Sequence, residues 1–215
     1  MLERGDYRYI EAHVPSQSRV LDLGCGDGSL IERLSEDKDV DACGIDIDEA
    51  AVRSCIRRGV SVYHGDMLEG MGMFANGSFD CVVLSQTLQQ TLKPVRIVEE
   101  MLRVGRRAII SFPNFGQWSI RLQLLLKGRA PKTKVLRYNW YNTPNLRVLT
   151  VKDFREFCTA RHYRIIDAAF FTATYQRIPK LVANFLAASA TFVIEKHQTE
   201  TMNETIEGMN RSVGA

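Results

Sequence analysis

The glycine-rich stretch at residues 22–28, Asp-Leu-Gly-Cys-Gly-Asp-Gly, has the residue types and spacing best suited to chemistry. It follows a short apolar run and precedes a helical pattern. Glycines at such a junction permit a tight turn and let the backbone come close to a ligand. The N–H groups at the start of the following helix favour an anionic ligand group. Because similar loops also serve turn geometry alone, the loop by itself does not identify a ligand.

Two carboxylates near this loop narrow the choice of ligand. The dinucleotide fingerprint requires a third glycine where Ser29 stands, so the loop does not match an NAD site. Asp22 precedes Gly24 by two residues, where it can meet a cationic group such as the ammonium of S-adenosylmethionine (SAM). Asp46 ends the next apolar run, at the usual distance for a carboxylate that hydrogen-bonds a ribose. The alternative role for Asp46 is a helix N-cap, for which Asp48 is better placed.

These residues must be positioned by an alternation of strands and helices. Apolar runs predict strands at residues 19–23, 42–46, 60–63, 79–84, 108–112, 163–169 and 191–194. Helical periods follow the first, second and fourth of these runs, which predicts right-handed crossovers and a parallel sheet covered on both faces. One helix begins at Pro94, and another follows Thr150, where Asp153 completes a capping box. No clear helix separates the last two strands, so we expect an antiparallel pair at the end of the sheet.

Length and composition are those of one globular domain. The chain has 215 residues, of which 45% are hydrophobic and 25% charged. We predict a single domain over residues 1–196 and a polar, disordered tail over residues 197–215. No stretch approaches the ~20 apolar residues that span a bilayer, and the N-terminus lacks an apolar signal core. We therefore predict a cytoplasmic protein without a membrane segment. Five cysteines form no C-x-x-C pair, so we expect neither a metal site nor a disulfide framework.

Positive charge is concentrated in one part of the chain. The net charge is +3, but residues 101–152 contain eleven Lys or Arg and no Asp or Glu. A segment that carries only positive charge gives information about partners or substrates rather than about the fold. Within it, residues 115–149 form a predicted insertion that contains Trp118, Tyr138, Trp140 and Tyr141. Aromatic residues among cations can stack nucleic-acid bases, but no nucleic-acid motif accompanies them. We favour a protein-partner surface, with a lid over an acceptor site as the alternative.

The spaced motifs together resemble class I SAM-dependent methyltransferases. This implies a Rossmann-like three-layer α/β sandwich whose mostly parallel sheet ends in an antiparallel strand. It also implies that residues 22–28 hold the methionine part of SAM or S-adenosylhomocysteine, that Asp46 takes the ribose hydroxyls, and that Asp66 borders the adenine. For Asp66 a turn position is the alternative. The cofactor-binding residues that the resemblance implies are Asp22, Gly24, Cys25, Gly26, Asp46, Ile47, Asp66, Met67 and Ser85.

Motifs in the second half of the chain resemble a narrower family, the methionine biosynthesis protein MetW. The resemblance runs from about residue 9 to residue 195, and Pro-Asn-Phe-Gly and Trp-Tyr-x-Thr-Pro-Asn are not general methyltransferase motifs. It implies a cytoplasmic bacterial protein that acts with homoserine O-acetyltransferase, and it implies no particular methyl acceptor. The segments that carry the resemblance are 103–106, 111–118, 126–131 and 140–145.

Two functions stay open at this point. In the first, the protein is a methyltransferase that aligns a small-molecule or protein acceptor with SAM, for which a general base is optional. In the second, it binds SAM without turnover and acts as a partner or regulator of the acetyltransferase. The candidate polar groups near the cleft are Ser85, Gln86, Thr87 and Asn114, each of which can instead serve the loop backbone. The sequence identifies no catalytic residue.

Overall fold

One seven-stranded sheet organises the computed structural model, which describes residues 5–197. The strands are β1 (Arg19–Leu23), β2 (Asp41–Asp46), β3 (Ser61–His64), β4 (Phe79–Ser85), β5 (Gly105–Pro113), β6 (Tyr163–Phe171) and β7 (Ser189–Lys196). Their order across the sheet is β3-β2-β1-β4-β5-β7-β6. All neighbours are parallel except the pairs that β7 makes with β5 and β6. This is the predicted, mostly parallel sheet with an antiparallel end.

Helices cover both faces of the sheet. They are α1 (Gly5–His13), α2 (Ser29–Lys38), α3 (Glu49–Arg57), α4 (Met67–Gly72), α5 (Pro94–Val104), α6 (Trp118–Lys127), α7 (Val151–Ala160) and α8 (Ala183–Leu186). The predicted start of α5 at Pro94 and the capping box of Thr150 with Asp153 are both confirmed. Four of these helices, α1, α4, α6 and α8, were not predicted from the sequence. Most of the predicted polar tail lies outside the described residues.

The two faces of the sheet carry separate apolar clusters. On one face, Ile10 of α1 and Leu34 of α2 pack in a cluster with Val83 of β4. On the other face, Met101 of α5 and Phe154 of α7 belong to a larger cluster with β4 and β5. The result is the three-layer arrangement predicted for alternating strands and helices. None of the described helices is long and apolar enough to cross a membrane.

An aromatic cluster holds the antiparallel end of the sheet. Phe192 of β7 stacks on Phe112 of β5, with ring centroids 5.8 Å apart, and lies 4.8 Å from Phe154 of α7. All three side chains are fully buried. Each such burial contributes about 1.5–3 kcal/mol. Near the other end of β7, the Glu195 carboxylate accepts hydrogen bonds from Arg107 of β5 at 2.6 Å and Arg164 of β6 at 2.7 Å. These contacts fix β7 between its two neighbours.

Candidate cofactor-binding site

The glycine-rich loop lies at the carboxyl edge of the sheet, where ligands of open α/β folds bind. In β1, Asp22 is 3% exposed and pairs with Gly44 of β2 and Val83 of β4. The chain then turns across the end of β2, where the Gly24 N–H donates to the Ile45 carbonyl at 2.7 Å. The loop is thereby anchored to the end of β2.

Within the loop, Gly26 differs from the other two glycines. Gly24, Gly26 and Gly28 all have positive φ, between 58° and 78°. A Cβ on Gly24 would lie 3.0 Å from Thr87 Oγ1, and one on Gly28 would lie 3.0 Å from Cys55 Sγ. A Cβ on Gly26 would meet no atom within 4 Å. Gly26 therefore borders space that protein atoms do not fill.

Asp46 joins the loop to the ends of β2 and β3. Its carboxylate accepts hydrogen bonds from the Gly26 N–H at 2.8 Å and the Asp48 N–H at 2.9 Å. Its carbonyl accepts the Gly65 N–H at 3.0 Å. The carboxylate of Asp48, not that of Asp46, caps α3 by accepting the Ala50 N–H at 2.8 Å, as predicted. Asp46 is thus placed beside Gly26 and is not used as a helix cap.

Cys25 turns its side chain away from the loop surface. Its Sγ lies 3.8 Å from Cys55 Sγ, and it packs against Ile31 and over Gly44. Burial raises the pKa of the Cys25 thiol well above its ordinary value, and the charge of Asp22 adds to the effect. A ligand at the loop would therefore meet the backbone of Cys25 rather than a thiolate.

The start of α2 is partly occupied by a side chain of the loop itself. The Asp27 carboxylate accepts the Ser29 N–H at 3.2 Å and pairs with Arg58 at 3.0 Å. Partial burial alone would raise the pKa of Asp27, but the hydrogen bonds from Ser29 and the Arg58 charge outweigh it, so the pKa lies below its ordinary value. An ionised Asp27 thus takes one N–H group that the sequence analysis assigned to an anionic ligand.

Three further predicted cofactor-binding residues follow β2 and β3. Ile47 is 71% exposed, directly after Asp46, and its carbonyl lies 3.2 Å from Nε2 of His64. The Asp66 carboxylate caps α4 by accepting the Leu68 N–H at 2.8 Å. This cap matches the turn-type role that the sequence left open for Asp66. Met67 is half-buried at the first position of α4.

Behind the loop, Ser85 belongs to a buried polar cluster. Its hydroxyl donates to Asp6 Oδ2 at 3.2 Å and lies 3.2 Å from the Ser111 hydroxyl, which also contacts Asp6 at 3.3 Å. Asp6 lies on α1 and is 1% exposed. Gln86 follows with a φ of 55°, and its N–H donates to the Ser111 carbonyl at 2.9 Å. Neither Asp6 nor Ser111 was predicted as a site residue: Asp6 lies in no motif, and Ser111 entered only as the first residue of the 111–118 segment.

Asn114 has a structural role. Its amide Nδ2 donates to the Ala187 carbonyl at 2.8 Å. Its Oδ1 accepts the Gly116 N–H at 3.0 Å and the Val151 N–H at 3.3 Å. The side chain is fully buried. Asn114 therefore serves the backbone of α6, α7 and α8, which is the alternative that the sequence left open for it.

Comparison with known proteins decides the family. The family model described as "Methionine biosynthesis protein MetW" matches residues 4–194. This chain belongs to the MetW family. It is 36% identical over 167 residues to the "Bifunctional methionine biosynthesis protein MetXA/MetW" of Rhodopirellula baltica. That match covers 74% of this chain but 27% of the relative, so it includes about a quarter of the bifunctional protein.

Solved structures confirm the class I methyltransferase fold of this MetW-family chain. A SAM dependent methyltransferase from Archaeoglobus fulgidus has a TM-score of 0.65 at 16% identity, covering 88% of this chain and 90% of that one. An S-adenosylmethionine dependent methyltransferase from Mesorhizobium loti has a TM-score of 0.64 at 13% identity, covering 90% and 98%. The [4+2]-cyclase SpnF also matches, with a TM-score of 0.62 at 17% identity, covering 89% and 81%. Likeness at these identities shows the fold and not the reaction.

The insertion of the MetW-family chain is tied to the turn after β4. The Leu146 and Arg147 N–H groups donate to the Gln89 carbonyl at 2.9 and 3.0 Å. Beside residues 146–147 lies a cavity of about 360 Å³, whose walls include Ile120 and Leu124 of α6. Further lining residues are Leu136, Tyr138, Trp140 and Arg147. Two side chains of α6 thus line a cavity within the insertion, and the residues around this cavity do not include the predicted cofactor-binding residues.

The uncompensated positive charge of residues 101–152 covers a shorter part of the chain in the structure than the sequence suggested. Four of its eleven cations pair with acidic residues outside residues 101–152: Arg103 with Glu100, Arg106 with Asp80, Arg107 with Glu195 and Lys152 with Glu156. Within residues 5–197, the other seven form no ion pair. These are Arg121, Lys127, Arg129, Lys132, Lys134, Arg137 and Arg147. The uncompensated charge is therefore confined to residues 121–147, around α6 and the loop after it.

Proposed function

We propose that this MetW-family protein binds SAM or S-adenosylhomocysteine at the carboxyl edge of β1, β2 and β4. The observation that carries the proposal is the open space at Gly26, which adjoins the Asp46 carboxylate. A left-handed glycine with no neighbour at its Cβ position lets a ligand approach the backbone closely. The proposed cofactor-binding residues are Asp22, Gly24, Cys25, Gly26, Asp46, Ile47, Asp66, Met67 and Ser85.

The chemistry of these residues fits the three parts of SAM. The buried carboxylate of Asp22 suits the ammonium of the methionine part, because opposite charges attract strongly where water is excluded. Each oxygen of Asp46 accepts one N–H and has a lone pair left for a ribose hydroxyl. The exposed side chain of Ile47 offers an apolar surface to the adenine. Bound SAM would supply a methyl group already activated by its sulfonium.

For the reaction, we propose methyl transfer to a small molecule or a protein whose identity is open. The protein would align the acceptor and exclude water, which can provide most of the acceleration without a general base. We propose that the cavity beside residues 146–147 holds the methyl acceptor. The polar groups found near the cleft, Ser85 and Asn114, already bond to other protein groups, so we assign no catalytic residue.

A second candidate function is regulation of homoserine O-acetyltransferase without methyl transfer. The bifunctional relative favours it, because that protein joins parts named MetXA and MetW in one chain. In either case we propose the acetyltransferase as a partner. A cytoplasmic location stays a prediction.

SAM binding is tested by calorimetry on the parent and on two neighbouring aspartate variants. Asp46→Ala should weaken binding by about 1.5–3 kcal/mol, the range for hydrogen bonds to a charged group. Asp48→Ala is the matched control, because it removes the cap of α3 and about 1 kcal/mol of stability but no proposed ligand contact. No binding to the parent, or equal affinity in the two variants, contradicts the proposed site.

Turnover separates the two functions. The purified protein is incubated with methyl-labelled SAM, with and without homoserine O-acetyltransferase and its substrates. Label transferred to the acetyltransferase or to a small molecule supports the methyltransferase. If SAM binds and no label moves, while the acetyltransferase rate changes when this protein is added, the regulator is supported instead.

A further inference from the structure

The outer face of α6 carries apolar side chains that no described element covers. Trp118, Leu122, Leu125 and Leu126 recur at helical spacing on the side opposite Ile120. Ile120 is the buried residue of the helix, while Leu125 is 81% exposed. The helix buries one residue and exposes five large apolar ones, four of them on the side opposite Ile120, so its outer face lacks a partner.

The apolar surface continues from α6 onto the turn before α8. Arg121 of α6 lies over the Phe185 ring of α8, with its guanidinium carbon 5.6 Å from the ring centroid. Phe185 is half-exposed, and Leu181, four residues earlier, is 97% exposed. We call this surface the α6–α8 patch, and it consists of Trp118, Leu122, Leu125, Leu126, Leu181 and Phe185. Large contiguous apolar surface of this kind marks interaction sites.

Cations without ion-pair partners follow the patch. Lys127 and Arg129 lie at the end of α6, and Lys132 and Lys134 lie in the loop that follows. Among the described residues, none of the four has a carboxylate within ion-pair distance. The Lys132 ammonium donates a hydrogen bond to the amide oxygen of Asn139, at 3.3 Å. The patch is therefore apolar at its centre and positively charged at one edge. It would be complementary to a partner surface that is apolar at its centre and negatively charged at its edge.

We propose that the α6–α8 patch is the surface that docks a partner protein, one whose own apolar patch has Asp and Glu at its edge. This inference rests on the proposed partnership with homoserine O-acetyltransferase and names the surface that serves it. The exposed leucines and aromatics of the patch would become buried against the partner and slow dissociation, while the cations would accelerate and orient the encounter.

Two other occupants fit the patch less well. A second copy of this chain would add more cations to the interface but no carboxylates, because residues 101–152 and 168–194, which carry the patch, contain no Asp or Glu. An anionic bilayer would attract the cations but would also bury the Arg121 guanidinium. That group lies between the apolar side chains of the patch, where it contacts the Gly116 carbonyl and Phe185. Charge in hydrocarbon is costly, whereas a partner carboxylate could pair with Arg121.

Surface plasmon resonance against immobilised homoserine O-acetyltransferase tests the apolar part of the patch. Leu125→Ala combined with Phe185→Ala should raise Kd at least tenfold, mainly through faster dissociation. Ile56→Ala on α3 is the matched control, since Ile56 is also an exposed apolar residue of a helix. Circular dichroism checks that the variants are folded. Equal Kd for the double variant and the control overturns the proposal.

The charged part is tested by reversing Arg129, Lys132 and Lys134 to Glu. Association should slow several-fold at low salt, and its salt dependence should flatten, because screening acts over ~8 Å at physiological ionic strength. Unchanged association overturns the electrostatic part. If the parent binds anionic vesicles instead, or self-associates through the patch in ultracentrifugation, the partner named here is wrong. No binding of the parent to the acetyltransferase contradicts the partnership itself, whereas binding that every variant retains contradicts only this surface.

Discussion

Gly26 permits a test in which ligand binding and fold stability can be measured apart. Gly26→Ala places a methyl group in the space where we propose that SAM lies, and no protein atom lies within 4 Å of it. The variant therefore has no steric clash of its own. Its φ of 58° remains unfavourable for an L-residue, which costs about 1–2 kcal/mol. For a domain of this size, that corresponds to a fall in Tm of roughly 2–8 °C.

Gly128 is a closely matched control for this change. It ends α6 with a φ of 56°, and its Cβ position is equally open. Gly128→Ala should therefore lose the same stability for the same backbone reason. It lies outside the proposed cofactor site, so its affinity for SAM should equal that of the parent. The difference in SAM affinity between the two variants then reports the ligand alone.

Calorimetry with SAM and thermal melts followed by circular dichroism complete the test. We expect Gly26→Ala to weaken SAM binding at least tenfold, or about 1.4 kcal/mol, and Gly26→Val to abolish it. Both alanine variants should melt within a few degrees of each other. If Gly26→Ala binds SAM as tightly as Gly128→Ala, the loop is a turn without a ligand, and SAM does not occupy the space beside Gly26.

Two further predictions concern the antiparallel end of the sheet. Burial alone would raise the pKa of Glu195, but hydrogen bonds from Arg107 and Arg164 outweigh it, so the pKa in the folded protein lies below its ordinary value. The ionised Glu195 therefore stabilises the fold above the ordinary pKa, and this stabilisation is lost as the pH falls through the folded pKa. Glu195→Gln should cost about 1 kcal/mol at neutral pH and nothing in strong acid, and urea unfolding across pH checks this. Phe192→Ala should cost about 3–5 kcal/mol in urea unfolding at neutral pH, and a loss under 1 kcal/mol would contradict the packing described.

The sequence was informative wherever function or capping depends on short spacing. Residues 22–28 and Asp46 are separated by one helix, so the alternation of elements brings them to the same sheet edge. Thr150 and Asp153 are three residues apart and form the predicted capping box. In each case the contact follows from local geometry, and strand pairing in a parallel sheet supplies the rest.

Contacts between distant residues were not predictable in this way. Asp6 reaches Ser85 and Ser111 only because α1 packs across β4 and β5, and a polar nine-residue helix gives no periodic signal. α6 was missed for a related reason, since its apolar residues occupy both faces. The absence of acidic residues from 101–152 also suggested that the whole segment carries uncompensated positive charge. Acidic residues far along the chain, such as Glu195, neutralise part of that charge.

The hydrogen bonds of Asn114 have a mechanical consequence for the insertion. One amide side chain links the residue after β5 to the start of α6 through Gly116, to the start of α7 through Val151, and to the end of α8 through Ala187. Because all these bonds are buried, neither α6 nor α8 can swing away without leaving a polar group unsatisfied, at about 1–3 kcal/mol each. The two helices are thus held rigidly against the end of the sheet. A displacement of either helix would therefore also move the end of β5, two residues from Ser111, whose hydroxyl contacts Asp6.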